Sequence, residues 1–299
     1  MAERQLNILS LDGGGVRGLS TLHILKEVLE SVGAERTPKP CEYFDIIGGS
    51  GSGGLIAILL GRLKLDIDEC IDLVWRLYEQ VFRKKRHLPI GSNLRTRPKY
   101  DSKWLEFAIR AFLHGPDQDE EMLLKDSDAS CKVYPSKYAS TELYKTVKVW
   151  DACAACVAMP TLFDPIPIGT SGRCFHDSSI ETNNPMRDLW IEAKAIWPSG
   201  TLESQLRCMV SIGAGAPSMK RLSRRFFGLV KTMPERTSDT DAETNKFVKE
   251  HSDLHDQNRL FRFEVPNGMA DIRPEDCDEL TPIVEATVDY LAGELVFKQ

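Results

Sequence analysis

The sequence lacks long apolar segments, although 42% of its 299 residues are hydrophobic. Its apolar runs, such as Leu55–Leu60, fall far short of the roughly 20 residues that a helix needs to cross a bilayer. The first residues, Met1–Gln5, also lack the basic start and the apolar stretch of roughly 7–15 residues that mark a signal peptide. The sequence therefore predicts no signal peptide, and we expect any membrane contact to be peripheral.

The chain has neither a dense cysteine framework nor an excess of positive charge. Its eight cysteines are scattered, which is typical of reduced thiols in a cytosolic protein. Its 38 lysines and arginines face 44 acidic residues, giving a formal net charge of -6, so no global basic field attracts nucleic acid. We expect a cytoplasmic protein without a nucleic-acid partner, and nothing in the sequence indicates its oligomeric state.

Signatures of cofactor and metal sites are missing as well. Gly13–Gly15 followed by Gly18 does not fit the dinucleotide fingerprint, and no Walker lysine follows. Cys153 and Cys156 have the spacing of a redox or metal motif but lack a second pair, and His251 lacks the glutamate that follows the first histidine of a zincin motif. The sequence therefore predicts no metal and no cofactor.

Two units of strand, glycine loop and helix are present near the start of the chain. Leu6–Leu11 predicts a short strand, and after a glycine loop Leu19–Leu29 predicts a helix with one apolar face. Tyr43–Ile47 predicts a buried strand, followed by the loop Gly48–Gly54 and an apolar helix over Leu55–Leu63, closed by Gly61. This order is typical of a mostly parallel sheet with helices on both faces.

The rest of the chain continues this pattern in a single predicted domain, residues 1–299, with a core of about 6–215 and a C-terminal strand and helix extension of about 246–299. We see no internal repeat and no linker that divides the chain. The remaining predicted elements are helices over 67–82 and 104–113, an acidic loop over 115–130, strands over 208–212 and 260–265, a polar and basic loop over 217–245, and a terminal helix over 282–295.

Both glycine loops have residues that suit catalysis. Gly13, Gly14 and Gly15 follow a predicted strand, where their backbone N–H groups can bind a phosphate or a developing oxyanion, and Arg17 adds a fixed cation. The alternative is a tight turn that needs glycine only for its backbone geometry. The second loop lies where a nucleophile elbow would, but neither Ser50 nor Ser52 fits the G-x-S-x-G pattern, because Gly51 stands at the centre between Gly49 and Gly53.

Five ordered motifs resemble the patatin-like phospholipase (PNPLA) family, and their order and spacing look most like its fungal cytosolic members. The motifs are Asp12–Gly18, Phe44–Ile47 leading to Gly53–Leu55, Pro160–Pro165, Asp177 with Asn183–Pro185, and Ser211–Gly213. The resemblance implies a three-layer α/β/α sandwich with a mostly parallel central sheet. It also implies a catalytic dyad of serine and aspartate without histidine, with the glycine loop as oxyanion hole.

The resemblance assigns Gly13, Gly14, Gly15 and Arg17 to the oxyanion loop and Asp177 to the base of the dyad. The nucleophile position, however, corresponds to Gly51. The family's Asp-Gly-Gly or Asp-Gly-Ala motif also reads Asp177-Ser178-Ser179 here, and the helix before Pro160 lacks the family's arginine, threonine and serine. The departures from the family pattern therefore cluster around the site.

Three functional hypotheses remain open. The first is a lipid acyl-hydrolase relative with a degenerate dyad that does altered or non-hydrolytic acyl or oxyanion chemistry on a lipid-like or specialised-metabolite substrate. The second is a pseudoenzyme that binds lipid or protein. The third is a working phospholipase or esterase that uses Ser52 or Ser50, although a one-residue shift at the turn rotates a side chain by about 100° and so points Ser52 away from Asp177.

A cluster of cations and aromatic residues in the 217–245 loop is a candidate for peripheral contact with anionic lipid headgroups. The alternative is an ordinary surface loop. The residues are Lys220, Arg221, Arg224, Arg225, Phe226 and Phe227.

Overall fold

The computed structural model describes residues 5–33, 36–86, 98–113, 120–134, 141–169, 172–215 and 240–293. The candidate lipid-contact cluster, residues 220–227, and most of the 217–245 loop lie outside these residues. Within them, no helix is long and apolar enough to span a membrane. The eight cysteines are all free thiols.

The centre of the molecule is a parallel sheet of five strands in the order β3-β2-β1-β6-β7. A separate antiparallel pair, β4 and β5, follows in the chain between β3 and β6. The strand bounds are β1 Leu6–Leu11, β2 Ile46–Gly49, β3 Lys132–Tyr134, β4 Ile166–Ile168, β5 Arg173–Phe175, β6 Leu206–Ile212 and β7 Leu260–Phe263.

Helices connect the strands and cover the sheet. Helix α4 shows how the sequence sets such a boundary, since Asp66 and Glu69 form a capping box at its start. The helix bounds are α1 Gly18–Val32, α2 Pro40–Tyr43, α3 Ser52–Ala57, α4 Ile67–Arg83, α5 Ser102–Leu113, α6 Thr141–Thr146, α7 Val149–Val157, α8 Met186–Ile196, α9 Leu202–Gln205, α10 Thr240–Glu250, α11 Ser252–Asp256 and α12 Leu280–Leu291.

Side chains on the two faces of the sheet enter two separate cores. Leu9, Leu11 and Ile47 pack in a large core that includes residues of α1, α3, α4, α5 and α7. Their neighbours Ile8 and Ile46 face the opposite way and pack with residues of α8 and α10. Because successive residues of a strand point to opposite faces, the apolar strands are buried on both sides. The predicted α/β/α sandwich with a mostly parallel sheet is confirmed.

Several predicted boundaries were wrong, among them that of the terminal helix, which spans Leu280–Leu291 instead of 282–295. Tyr43 ends the short helix α2, and β2 begins only at Ile46, because Pro40 starts a helical turn in which the Phe44 N–H donates to the Pro40 carbonyl. The apolar helix after the second glycine loop changes at Ile58 into a π-helical segment that ends at Arg62. Residues 240–245 belong to α10 instead of a loop.

The carboxyl ends of β1 and β2 lie side by side at one edge of the sheet, with Leu11 opposite Gly49. The strand on the other side of β1 is β6, whose Ile212 is the partner of Leu11. The chain thus leaves the central strand β1 toward β2 and later returns to its opposite side. In open α/β sheets, ligands bind in the crevice outside such a switch in strand order, and both glycine loops lie at this edge.

Candidate active site

Gly51 occupies a sharp turn between β2 and α3. Its φ of +53° and ψ of −125° lie in a region that residues with a side chain rarely adopt. A β-carbon built on Gly51 would lie 2.9 Å from Oδ1 and 3.1 Å from Oδ2 of Asp177. Residue 51 therefore faces the carboxylate, and that carboxylate occupies the space next to the missing side chain.

Asp177 is held in the crevice by backbone contacts on both sides. Its N–H donates to the Ala158 carbonyl at 3.0 Å, and its Oδ1 accepts the N–H of Ser179 at 2.7 Å. The side chain is only 3% exposed. Burial raises the pKa of Asp177 to about 6, although hydrogen bonds from Ser179 oppose the shift. The carboxyl group therefore changes its charge near neutral pH, as suits a general base.

The glycine loop follows β1 and has backbone donors that already have acceptors. The Gly13 N–H donates to the Asn183 carbonyl at 3.1 Å. The Gly14 N–H donates to Oγ of Ser52, also at 3.1 Å. An oxyanion at either donor would have to displace one of these oxygens. Gly15 begins a short 3-10 helix, Gly15–Arg17, that leads into α1.

Arg17 is buried below this loop. Its Nη1 lies 3.4 Å from the Ile272 carbonyl, and its Nε has no partner among the described residues. Burial lowers the pKa of Arg17 to about 10, which leaves the guanidinium charged at neutral pH. The cation therefore lies beside the glycine loop, and its Nη1 contacts the segment that precedes α12.

The two serines of the second loop are engaged elsewhere and are only 2% exposed. Ser50 Oγ donates to the Thr182 carbonyl at 2.6 Å and lies 3.2 Å from Ser178 Oγ. Ser52 Oγ accepts the Gly14 N–H. Neither oxygen has a hydrogen bond to Asp177 among the described contacts. The structure therefore brings together Asp177, Gly51 and the glycine loop, while Ser50 and Ser52 face other partners.

A buried ion pair fixes the start of the glycine loop. Arg262 of β7 donates from Nη1 to Asp12 Oδ1 at 3.0 Å and from Nη2 to Asp12 Oδ2 at 2.7 Å. The same guanidinium contacts Ser211 Oγ at 2.8 Å and Glu264 Oε2 at 2.8 Å. This bidentate pair joins β1 to β7 at the carboxyl edge of the sheet, directly before Gly13.

Sequence reasoning missed Ser179 as a member of the site. A β-carbon on Gly51 would lie 3.1 Å from the Ser179 β-carbon, and one on Gly13 would lie 2.6 Å from it. Ser179 therefore stands between the two glycine loops. The signal in the sequence was the change from a small residue to serine in the motif that follows the aspartate.

One other group near the site, the Cys156 thiol, offers little chemistry. Cys156 is close enough to Asp177 for the charge of that carboxylate to affect it, but burial raises the pKa of the thiol to about 12. Such a thiol is protonated at neutral pH and unreactive. Among the described residues, no group of three histidine, cysteine, aspartate or glutamate side chains could hold a metal ion.

The chain is similar in sequence to several known proteins. The chain is 27% identical over 233 residues to calcium-independent phospholipase A2-gamma of Oryctolagus cuniculus, covering 71% of this chain and 28% of that protein. It is 28% identical over 176 residues to probable inactive patatin-3-Kuras 1 of Solanum tuberosum, covering 54% and 45%. The chain thus spans less than half the length of either relative. A solved structure, VipD from Legionella pneumophila, aligns with 97% of this chain and with 67% of the VipD chain. The sequence identity is 12% and the TM-score is 0.38.

The family assignment follows from a match over most of the chain. The family model for patatin-like phospholipase matches residues 9–190, a range that contains both glycine loops and Asp177. That range is more than half of the 299 residues. The protein belongs to the patatin-like phospholipase family.

Proposed function

We propose that this chain acts on acyl groups of lipid-like compounds through an altered patatin site, with Asp177 as general base and no nucleophile at residue 51. The observation that carries this proposal is the contact between the buried Asp177 carboxylate and the empty side-chain position of Gly51. A glycine has no group that attacks a carbonyl carbon, so the family's standard covalent step at this position is excluded.

The chemistry that remains needs an attacking oxygen from another source. A carboxylate whose pKa is about 6 can take a proton from such an oxygen near neutral pH. The nearby Arg17 cation favours a developing negative charge on the substrate, and the Gly13 and Gly14 N–H groups would add to this effect once the charge displaces the Asn183 carbonyl and Ser52 Oγ. The same groups suit non-hydrolytic acyl chemistry, in which the proton moves through Asp177 and the charge is held by the loop.

A binding protein without catalysis is the second candidate. The N–H groups of Gly13 and Gly14 already donate to the Asn183 carbonyl and Ser52 Oγ, which favours a site that holds an acyl compound but does not stabilise its transition state. An esterase based on Ser50 or Ser52 has less support, because the Ser50 hydroxyl donates to Thr182 and the Ser52 hydroxyl holds Gly14.

Turnover by wild type and Asp177→Asn distinguishes the two main candidates. We would measure hydrolysis of p-nitrophenyl butyrate and p-nitrophenyl palmitate, with Asp253→Asn as a control, because Asp253 is exposed on α11. Hydrolysis that is lost in Asp177→Asn and kept in Asp253→Asn supports the enzyme. An inert wild-type protein that binds palmitate with the same affinity as Asp177→Asn would support the binding protein.

A further inference from the structure

Ser179 has a side chain where the family's small residue would leave open space. Its β-carbon lies 3.1 Å from the position of a Gly51 β-carbon and 2.6 Å from that of a Gly13 β-carbon. The residue therefore lies between the elbow that has lost its serine and the loop that follows β1. The hydroxyl group that Gly51 lacks and the one that Ser179 carries thus belong to the same small region between the two glycine loops.

The Asp177–Ser179 turn also holds this serine beside the base. The Ser179 N–H donates to Asp177 Oδ1 at 2.7 Å, and Asp177 caps the 3-10 turn Ser178–Ile180. Burial raises the pKa of this carboxyl group, and hydrogen bonding by Ser179 opposes that rise. Ser179 is half-buried, whereas Ser50 and Ser52 are almost fully enclosed. Among these serines, Ser179 combines proximity to the base with partial exposure.

We propose that Ser179 is the nucleophile of this site, paired with Asp177 in a dyad formed within one turn of the chain. This inference rests on the proposed function, because it supplies the attacking oxygen that Gly51 cannot. The ligand class is an ester of a lipid-like acyl group, whose carbonyl carbon Ser179 Oγ would attack from the half-buried side of the Asp177–Ser179 turn.

The reaction balances with water as the only co-reactant. Ser179 Oγ forms a bond to the carbonyl carbon while its proton passes to the Asp177 carboxylate. The tetrahedral intermediate then breaks the ester C–O bond, and the leaving alcohol takes the proton back from Asp177. In the second half a water molecule gives a proton to Asp177, attacks the acyl-Ser179 ester and releases the carboxylic acid, and Ser179 recovers its proton.

A fluorophosphonate probe tests this assignment directly, because its phosphorus is attacked by an activated serine with loss of fluoride. We would label the wild type, locate the modified residue by peptide mass spectrometry, and compare Ser179→Ala with Ser178→Ala. Ser178 is the matched control, since it belongs to the same turn but its Oγ lies against Ser50 Oγ. Near-wild-type circular dichroism and thermal melting would verify that both variants fold.

We expect the label on Ser179, with a loss of labelling and of p-nitrophenyl butyrate hydrolysis of at least about 10³-fold in Ser179→Ala and little change in Ser178→Ala. Label on another serine, or labelling that persists in Ser179→Ala, would overturn the assignment. Hydrolysis that depends on Asp177 but survives in Ser179→Ala would refute Ser179 alone and leave the proposed function standing. A folded wild type that is neither labelled nor active on either ester would refute both.

Discussion

The carboxylate of Asp177 lies against the α-carbon of Gly51, so close that a β-carbon there would stand 2.9 Å from Oδ1. Ordinary carbon–oxygen contacts are longer, so a side chain at residue 51 would displace the carboxylate. The surroundings of residue 51 therefore suit a glycine, because the Asp177 carboxylate and the Ser179 β-carbon both border its β-carbon position. This relationship sets the expectations for variants of the site.

Gly51→Ser is expected to destabilise the fold and to add little activity to that of the wild type. The positive φ of Gly51 costs a residue with a side chain about 1–3 kcal/mol, and crowding by Asp177 and Ser179 adds to this cost. Urea denaturation measures the change. Gly172→Ser is the control, because Gly172 also has a positive φ, +61°, but no atom lies within 4 Å of its β-carbon position.

The double variant Gly51→Ser with Ser179→Gly separates crowding from strain. Removing the Ser179 side chain takes away one of the close neighbours of residue 51. We therefore expect this variant to be more stable than Gly51→Ser alone and to be labelled by fluorophosphonate at residue 51. Equal stability of the two variants would show that the Ser179 side chain does not crowd the elbow.

Activity is expected to rise with pH through about 6. Asp177 must be ionised to accept a proton, and burial raises its pKa to about 6. Below that pH, kcat/KM should fall about tenfold per pH unit, because only the ionised fraction of the enzyme reacts. This fall can be measured as a profile of kcat/KM from pH 4.5 to 8, taken only where circular dichroism shows a folded protein. A flat profile would contradict the role of Asp177 as base.

Asp177→Asn is expected to stabilise the protein at neutral pH. The folded state raises the carboxyl pKa from 3.8 to about 6, so the folded protein binds its proton more tightly than the unfolded chain does. The favourable contribution of this proton is complete below pH 3.8 and is lost as pH rises through about 6. At pH 7 the ionised carboxylate therefore costs about 3 kcal/mol relative to its ordinary environment, a cost that asparagine avoids.

Unfolding by urea at pH 4 and at pH 7.5 checks this linkage. The advantage of Asp177→Asn over wild type should be present at pH 7.5 and small at pH 4. An equal difference in the free energy of unfolding between the two proteins at both pH values would show that burial does not raise the pKa of Asp177. Asp253→Asn, at an exposed position, should change stability little at either pH.

The fold was largely predictable because its signals are local. Leu6–Leu11 alone is apolar enough to indicate a buried strand, and the glycine loop after it fixes where helix α1 begins. The prediction of a strand over Tyr43–Ile47 was partly wrong, because a short apolar segment has no periodicity that distinguishes a strand from a helix. In the structure, Tyr43 ends the short helix α2. The proximity of Gly51 and Asp177 could be expected from motif order, because the family pattern carries information on tertiary structure that spacing alone lacks.

Contacts between segments that are distant in the chain could not be predicted from the sequence. Ser179 reaches Gly13 and Gly51 only because the turn after β5 folds over the carboxyl edge of the sheet. In the same way, Asp12 and Arg262 are 250 positions apart, and nothing in either local pattern signals their pairing. Both relationships depend on how elements meet in space, which periodicity does not report.

Ser52→Ala is expected to lower stability without removing a nucleophile. The substitution leaves the buried Gly14 N–H without its acceptor, which costs about 1–3 kcal/mol. Fluorophosphonate labelling should persist, because the Ser52 hydroxyl serves the glycine loop. Ser31→Ala, which removes an exposed hydrogen bond to the Val28 carbonyl, is the control and should cost less. A fully stable but unlabelled Ser52→Ala would instead support Ser52 as nucleophile.

Arg262→Met is expected to be among the most damaging single changes outside the crevice. The Asp12 side chain is 1% exposed and that of Glu264 is 16% exposed, so removal of the guanidinium leaves two enclosed carboxylates without their cation. Breaking such a pair costs about 3–5 kcal/mol. Arg273→Met is the control, because the Arg273 side chain is 51% exposed and pairs with the half-buried Asp276, and ion pairs that are open to solvent contribute about 0–1 kcal/mol.

The double variant Asp12→Asn with Arg262→Met distinguishes an uncompensated charge from lost packing. Neutralising Asp12 removes one of the two buried carboxylates that would lack a cation, so this variant should unfold at a higher urea concentration than Arg262→Met. Because Asp12 directly precedes Gly13, the single variant should also lose hydrolysis of p-nitrophenyl butyrate through a displaced glycine loop. If Arg262→Met and Arg273→Met were equally stable, the buried pair would not be what anchors β1 to β7.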